Sequence, residues 1–239
     1  MATTGHTIKA FDDDLDAIRA TISEMGGLAE AAIRESMEAL VKRDAEAATG
    51  IIERDARIDA LEAEVERRAL QVIALRAPMA DDLREVVAAL KIAGVVERIG
   101  DYAKNIAKRV ASVEDSKIRP LSLLPEMARI VGEMVHNVLD AFVQRDPAKA
   151  EAVCVRDAAV DDFYNSIFRA LLTHMMENPH NITPATHLLF VARNLERIGD
   201  HATNVAEMVY FASTGRHLGD RAKGANPADI QADELGGKA

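Results

Sequence analysis

Glu97-Arg98-Ile99-Gly100-Asp101 occurs twice in this chain: the same five residues return as Glu196-Arg197-Ile198-Gly199-Asp200. The neighbours follow suit, Tyr102-Ala103-Lys104-Asn105 being answered by His201-Ala202-Thr203-Asn204. Self-similarity at this distance marks a duplicated unit. Each copy keeps Glu, Asp and Asn four residues apart, and i, i+4 and i+8 form one ridge of a helix. The ridge is uncomfortable by itself. Like charges at i, i+4 cost about 0.2–0.5 kcal/mol, and a mid-helix Gly costs roughly 1 kcal/mol relative to Ala. A compensating partner is implied, and a hard cation held by carboxylates fits that need.

Outward from the pentamer, the whole chain reads as helix. Ile92, Val96, Ile99, Ala103, Ile106 and Val110 form a seam with alternating four- and three-residue steps, which predicts a helix from Asp81 or Asp82 to about Ser112. Before it, Ile51, Ile58, Leu61, Val65 and Val72 mark a helix over 45–75, with Asp44 as its N-cap and Pro78 behind it. Leu15, Ile18, Ile22, Met25, Ala29, Ile33, Met37 and Leu40 mark another over 10–42, after a frayed start at 1–8. The second half replays this order with helices over 123–144, 147–176 and 183–212. Arg43-Asp44 is answered by Arg145-Asp146, and Asp146-Pro147 and Thr183-Pro184 each place a cap before a first-turn proline. The fold class is all-α: two tandem three-helix bundles, six long helices in all. The repeats span 8–113 and 121–213, with the polar stretch 114–120 as boundary. The tail, 214–239, has five glycines between Gly215 and Ala239 and no periodicity, and is expected to be disordered.

Composition narrows the classes. Net charge is −10, which disfavours nucleic acid as the main ligand. A single cysteine, Cys154, excludes an intrachain disulfide. Met1 to Asp16 carries Asp12, Asp13 and Asp14 and no apolar segment, unlike a signal peptide. No apolar run approaches the roughly 20 residues of a membrane helix. A cytoplasmic protein is expected. With no Trp and 4% aromatics, its core must be Leu, Ile, Val, Met and Ala.

At 100° per residue, Glu97, Asp101 and Asn105 fall roughly 120–160° from the centre of the apolar seam. They therefore lie outside the core. The preceding helix carries a second acid pair, Asp55-x-x-x-Asp59, repeated as Asp157-x-x-x-Asp161. Consecutive short-looped helices pack antiparallel, so two acidic ridges meet in each half. Glu62, one turn beyond Asp59, adds a fifth carboxylate to the first half; its counterpart is Tyr164. On charge count, the first half should bind a hard cation more tightly. Lys104 opposes this, Thr203 standing in its place, and is expected to swing into solvent.

Duplicated three-helix bundles with Asp-x-x-x-Asp on the second helix and Glu-Arg-Ile-Gly-Asp on the third resemble the PhoU family over roughly 8–213. That resemblance implies a homodimeric cytoplasmic regulator of the phosphate-specific transport system, and no enzyme. It implies restraint of the phosphate-starvation response and of phosphate uptake. The implied partners are the ATPase subunit of the phosphate ABC transporter and a sensor histidine kinase, with the membrane reached only through them. It also implies metal clusters of iron or zinc, where carboxylate ligands alone suit Mg, Ca, Mn or iron. Carried over by motif, one ligand set is Asp55, Asp59, Glu97 and Asp101, with Asn105 as auxiliary donor. The other is Asp157, Asp161, Glu196 and Asp200, with Asn204.

Two rivals stand beside this reading. A ferritin-like di-metal carboxylate enzyme needs two Glu-x-x-His motifs, and the chain has one, Glu133-x-x-His136. A metal-free helical scaffold is the other. His174, His180 and His187 show no ligand spacing, His6 and His217 lie toward the termini, and no glycine-rich nucleotide loop is present.

Overall fold

The computed structural model describes residues 3–113 and 122–218, with side chains from residue 10 onward. Its helices are α1 (Thr3–Lys42), α2 (Ala45–Arg54), α3 (Ala56–Arg76), α4 (Asp81–Ala107), α5 (Val110–Val113), α6 (Leu123–Gln144), α7 (Pro147–Glu177) and α8 (Ile182–Thr214). The expected boundary at 114–120 and the tail beyond 218 lie outside the described residues.

Four boundaries differ from the sequence reading, the last helix among them: α8 starts at Ile182 behind Asn181, so Thr183, expected as its cap, lies inside it. α1 begins at Thr3, ahead of the expected start. The expected helix 45–75 is interrupted at Asp55, whose dihedrals stay helical (φ −57, ψ −35) while its carbonyl accepts from Ile58 N at 2.8 Å and Asp59 N at 3.4 Å. This is a tightened turn rather than a bend out of the helix. The third helix stops at Ala107, and α5 continues after one turn.

The turn between the first two helices of each half is built the same way twice. Arg43 and Arg145 adopt left-handed conformations (φ 58 and 54). Asp44 N then bonds Ala39 O, and Asp146 N bonds Ala141 O, both at 2.9 Å, closing a Schellman-type end. Asp44 Oδ1 caps α2 through Ala47 N, and Asp146 Oδ1 caps α7 through Ala148 N and Lys149 N.

The core follows the apolar stripes. Every stripe residue named for α1, from Leu15 to Leu40, is buried, as is the α4 seam from Ile92 through Ile106. One continuous hydrophobic cluster runs through both halves. The halves meet helix on helix. Gly26 of α1 lies against Leu139 and Glu30 against His136, so residue numbers climb along α1 as they fall along α6. Likewise Tyr102 meets Arg197 and His201, and Arg109 meets His187 and Phe190. Both pairs of helices are antiparallel. Tyr102 and His201 are repeat counterparts, so a pseudo-twofold axis passes between them. Glu85 of α4, paired with Arg19 of α1 and Arg145 of the α6–α7 turn, ties the halves at the periphery.

Candidate functional site

The glycine of each pentamer decides how closely the acid-bearing helices approach. A Cβ on Gly100 would lie 2.8 Å from Ile58 Cδ1 and 3.4 Å from Asp55 Oδ1. One on Gly199 would lie 3.2 Å from Asp157 Oδ1 and 3.3 Å from Val160 Cγ1. With hydrogen there instead, α3 and α7 press their first acids against the backbones of α4 and α8. Asp55 and Asp157 are consequently 7% and 4% exposed, among the few buried polar residues described.

In the first half, Glu97 and Asp101 are half-buried on α4, Glu62 is half-buried on α3, and Asp59 is exposed beside them. Burial pushes the Glu97 carboxyl up to about 7, with Asp101, Glu62, Asp59 and Asp55 adding to the rise in that order. Glu62 is raised too, by burial, then by Glu66 and Asp59, against Arg98. Lys104 Nζ bridges the cluster, donating to Asp55 Oδ2 at 2.5 Å and to Asp101 Oδ1 at 2.7 Å. The expectation that Lys104 swings into solvent is corrected here. Its side chain is 23% exposed and holds the buried Asp55 from across the helix pair. Asn105 accepts from Lys108 Nζ at 3.4 Å.

In the second half, burial pushes Glu196 up to about 7; Asp200 and Asp161 add to the rise, and Arg193 opposes it more strongly than either. Burial also raises Asp161, helped by Asp200 and Asp162 and opposed by Arg193. Arg193 donates to Glu196 Oε1 at 2.7 Å, and its guanidinium lies 5.7 Å from the centre of the Tyr164 ring. The other oxygen of that carboxylate, Glu196 Oε2, is buried without a hydrogen-bond partner. Thr203 replaces Lys104, and its hydroxyl donates to the Asp200 carbonyl at 2.7 Å. Asp200 and Asn204 are exposed.

Arg193 is the functional-site residue that the sequence reading passed over. Its signal was legible: it stands three residues before Glu196, within i, i+3 reach, where the first half has Gly94. Gly94 in turn makes room for Glu62, whose Oε1 lies 3.3 Å from where a Cβ would be.

The donor chemistry fits a hard cation. Each cluster gathers carboxylate oxygens from two helices, and in the second one oxygen of Glu196 is buried with no hydrogen-bond partner. As the side chains stand, no three His, Cys, Asp or Glu residues converge closely enough to hold an ion among the described residues. In the first half Lys104 Nζ lies between the Asp55 and Asp101 carboxylates.

The outward sequence comparison agrees with the repeat. The model of the PhoU domain matches residues 22–110 and again 124–209. The chain belongs to the PhoU family. A relative from Zymomonas mobilis, named a phosphate-specific transport system accessory protein PhoU homolog, is 56% identical over 92% of this chain and 93% of its own. One of the same name from Caulobacter vibrioides is 46% identical over 90% and 94%. The crystal structure of PhoU from Pseudomonas aeruginosa superposes with a TM-score of 0.83 at 33% identity, covering 86% of this chain and all of that one. A phosphate transport system regulatory protein PhoU from Streptococcus pneumoniae gives 0.82 at 25% identity, over 87% and 99%. Among the described residues, no helix is long and apolar enough to cross a membrane.

Proposed function

We propose that this protein is an accessory regulator of phosphate-specific transport that restrains phosphate uptake and the starvation response when phosphate is plentiful. It works by binding, as a homodimeric cytoplasmic adaptor between the ATPase subunit of the phosphate ABC transporter and a sensor histidine kinase. The observation that supports this reading is similarity over 92% of this chain, at 56% identity, to a protein named a phosphate-specific transport system accessory protein. The experiment is a gene deletion. Phosphate-uptake genes should be expressed even in phosphate-rich medium, and unchanged expression would overturn the regulator reading. Affinity capture of the tagged protein from phosphate-replete and starved cells checks the two partners.

Metal binding is part of the proposal. Asp55, Asp59, Glu62, Glu97 and Asp101 would hold ions in the first half, and Asp157, Asp161, Glu196 and Asp200 in the second. A bound ion would supply positive charge that cancels the repulsion within each cluster and ties its two helices together. Both raised glutamates must lose their protons to serve as ligands, so affinity should rise with pH through about 7. Elemental analysis of protein purified without chelator, set against Glu97/Asp101→Ala, separates this from the metal-free scaffold.

One observation speaks against the ferritin-like alternative. Glu133 is half-buried and paired with Arg129 and Arg156, and His136 is exposed against Glu30. A di-metal oxidase aims its Glu-x-x-His motifs into the bundle core.

A further inference from the structure

The first cluster already contains a cation of its own. Lys104 Nζ sits between two carboxylates from different helices, Asp55 at the α2–α3 break and Asp101 on α4. Asp55 is the deepest acid of that set, packed against Gly100. Its burial leaves little water to solvate a lone negative charge, and a buried carboxylate stripped of its partner is costly. The ammonium therefore does for the metal-free protein what a metal ion would do for the loaded one. It cannot do so while an ion is held by the same two oxygens, because the two positive charges would share one space.

We propose that Lys104 is a resident counter-cation of the first cluster, and that a metal ion binds there only by displacing its ammonium from Asp55 and Asp101. The inference rests on the metal-binding reading above. Its consequence is an exchange. The metal-free first cluster is held closed by a covalently attached charge, and loading it moves that charge outward. Lys104 lines a cavity between α1, α2, α3 and α4 together with Glu35, Arg54 and Leu28. The second cluster has no such gate at this position, since Thr203 carries no charge.

The probe is Mn2+, titrated calorimetrically into the full chain carrying Glu196→Gln and Asp200→Asn, so that only the first cluster is read. Replacing Lys104 by Thr, its counterpart, should tighten Mn2+ binding by roughly tenfold or more, one opposing charge having been removed from a site selected by charge count. Lys104→Arg, which keeps the charge, should leave binding as weak as before. Should Lys104→Thr be poorly folded without metal, Mn2+ should restore its melting temperature by more than it raises that of the parent. A second measurement needs no mutation at Lys104. Acylation of its amine by an N-hydroxysuccinimide ester, followed by peptide mass spectrometry, should be slow in chelator and faster with Mn2+. Binding that Lys104→Thr leaves unchanged, or a labelling rate that Mn2+ does not raise, overturns the displacement. Absence of Mn2+ binding in every variant and in the unmutated chain overturns the metal reading itself, and this inference with it.

Discussion

The two acidic clusters share a pentamer and a glycine, yet each is neutralised from the opposite end. In the first, the cation follows the acids in sequence: Lys104, three residues after Asp101, reaches back to Asp55. In the second it precedes them: Arg193, three residues before Glu196, grips that glutamate and leans on Tyr164. At each reciprocal position stands a residue that cannot help, Thr203 for Lys104 and Gly94 for Arg193. The repeat keeps the acids and the close helix approach while varying the counter-charge. Lys104 engages the buried acid, whereas Arg193 engages the ridge glutamate and leaves its second oxygen without a partner.

The largest test of this comparison is mechanical. Gly100→Val and Gly199→Val should each destabilise the protein by about 1–3 kcal/mol, because overpacking drives α4 from α3 or α8 from α7. Urea denaturation measures it. Alanine separates the halves more finely. It gains about 1 kcal/mol in helix propensity over glycine. At Gly100 the nearest obstacle is Ile58 Cδ1, the far end of a side chain that can turn aside. At Gly199 the obstacles are the Asp157 carboxylate and a γ-methyl of Val160, whose branched side chain is stiff at χ1. Gly199→Ala should therefore be the less stable of the two. The reverse order would show that the two approaches are not limited as described.

Exchange of the counter-charges comes next. Arg193→Gly, copying the first half, removes the strongest influence holding Glu196 down, so this carboxyl should titrate above its present value of about 7. Gly94→Arg, the reverse copy, should lower Glu97. NMR titration of labelled glutamate side chains follows both. An unmoved Glu196 would mean that Arg193 serves only to pack against Tyr164.

The helices were legible from periodicity, and the caps of α2 and α7 from Asp44 and Asp146, because both follow from local spacing. The two-carboxylate ridges were legible for the same reason. Depth was not. Asp55 and Asp59 look alike in a sequence, but Asp55 packs against Gly100 of another helix and is buried while Asp59 is exposed. Lys104 was misread because an exposed position was assumed for it, while its partner Asp55 lies far off in sequence. Asp55 also hides the helix break, since its dihedrals remain helical. The antiparallel meeting of the halves depends on tertiary contacts between counterpart residues, which no periodicity encodes.

A smaller effect should appear in the metal-free protein as pH changes. Glu97 and Glu196 have folded-state values near 7 against an ordinary 4.5. Between those values the native state binds more protons than the unfolded one, so stability falls as pH rises from 4.5 through about 7. Both side chains keep some contact with water, which moderates the loss. Melting temperatures in chelator from pH 5 to 8 should decline, and Glu97→Gln with Glu196→Gln should flatten the decline. If the double variant keeps the same slope, the clusters are not its source.

The smallest effect lies where the two halves touch on the pseudo-twofold axis. The Tyr102 and His201 rings meet edge to face, with centroids 5.2 Å apart and planes at 82°. This arrangement sets the positive edge of one ring toward the negative face of the other, and such pairs contribute about 0.5–1.5 kcal/mol beyond the area they bury. Arg197 lies 5.8 Å from the Tyr102 ring centre and adds a weak cation–π contact on the same residue. A double-mutant cycle on Tyr102→Ala and His201→Ala should therefore return a coupling of about 0.5–1 kcal/mol at pH 8, where the imidazole is neutral. His201 is held below its ordinary value by burial, with the Arg197 carbonyl opposing and Arg98 reinforcing. Its native state binds fewer protons than the unfolded chain, so its contribution is lost as pH falls below 6.5 toward the lowered value. Repeating the cycle at pH 5.5 should then give a different coupling, because an imidazolium would stand beside Arg98. A coupling near zero at both pH values would mean that the halves are joined by the aliphatic core and the Glu85 ion pairs, with the axial ring pair contributing only its buried area.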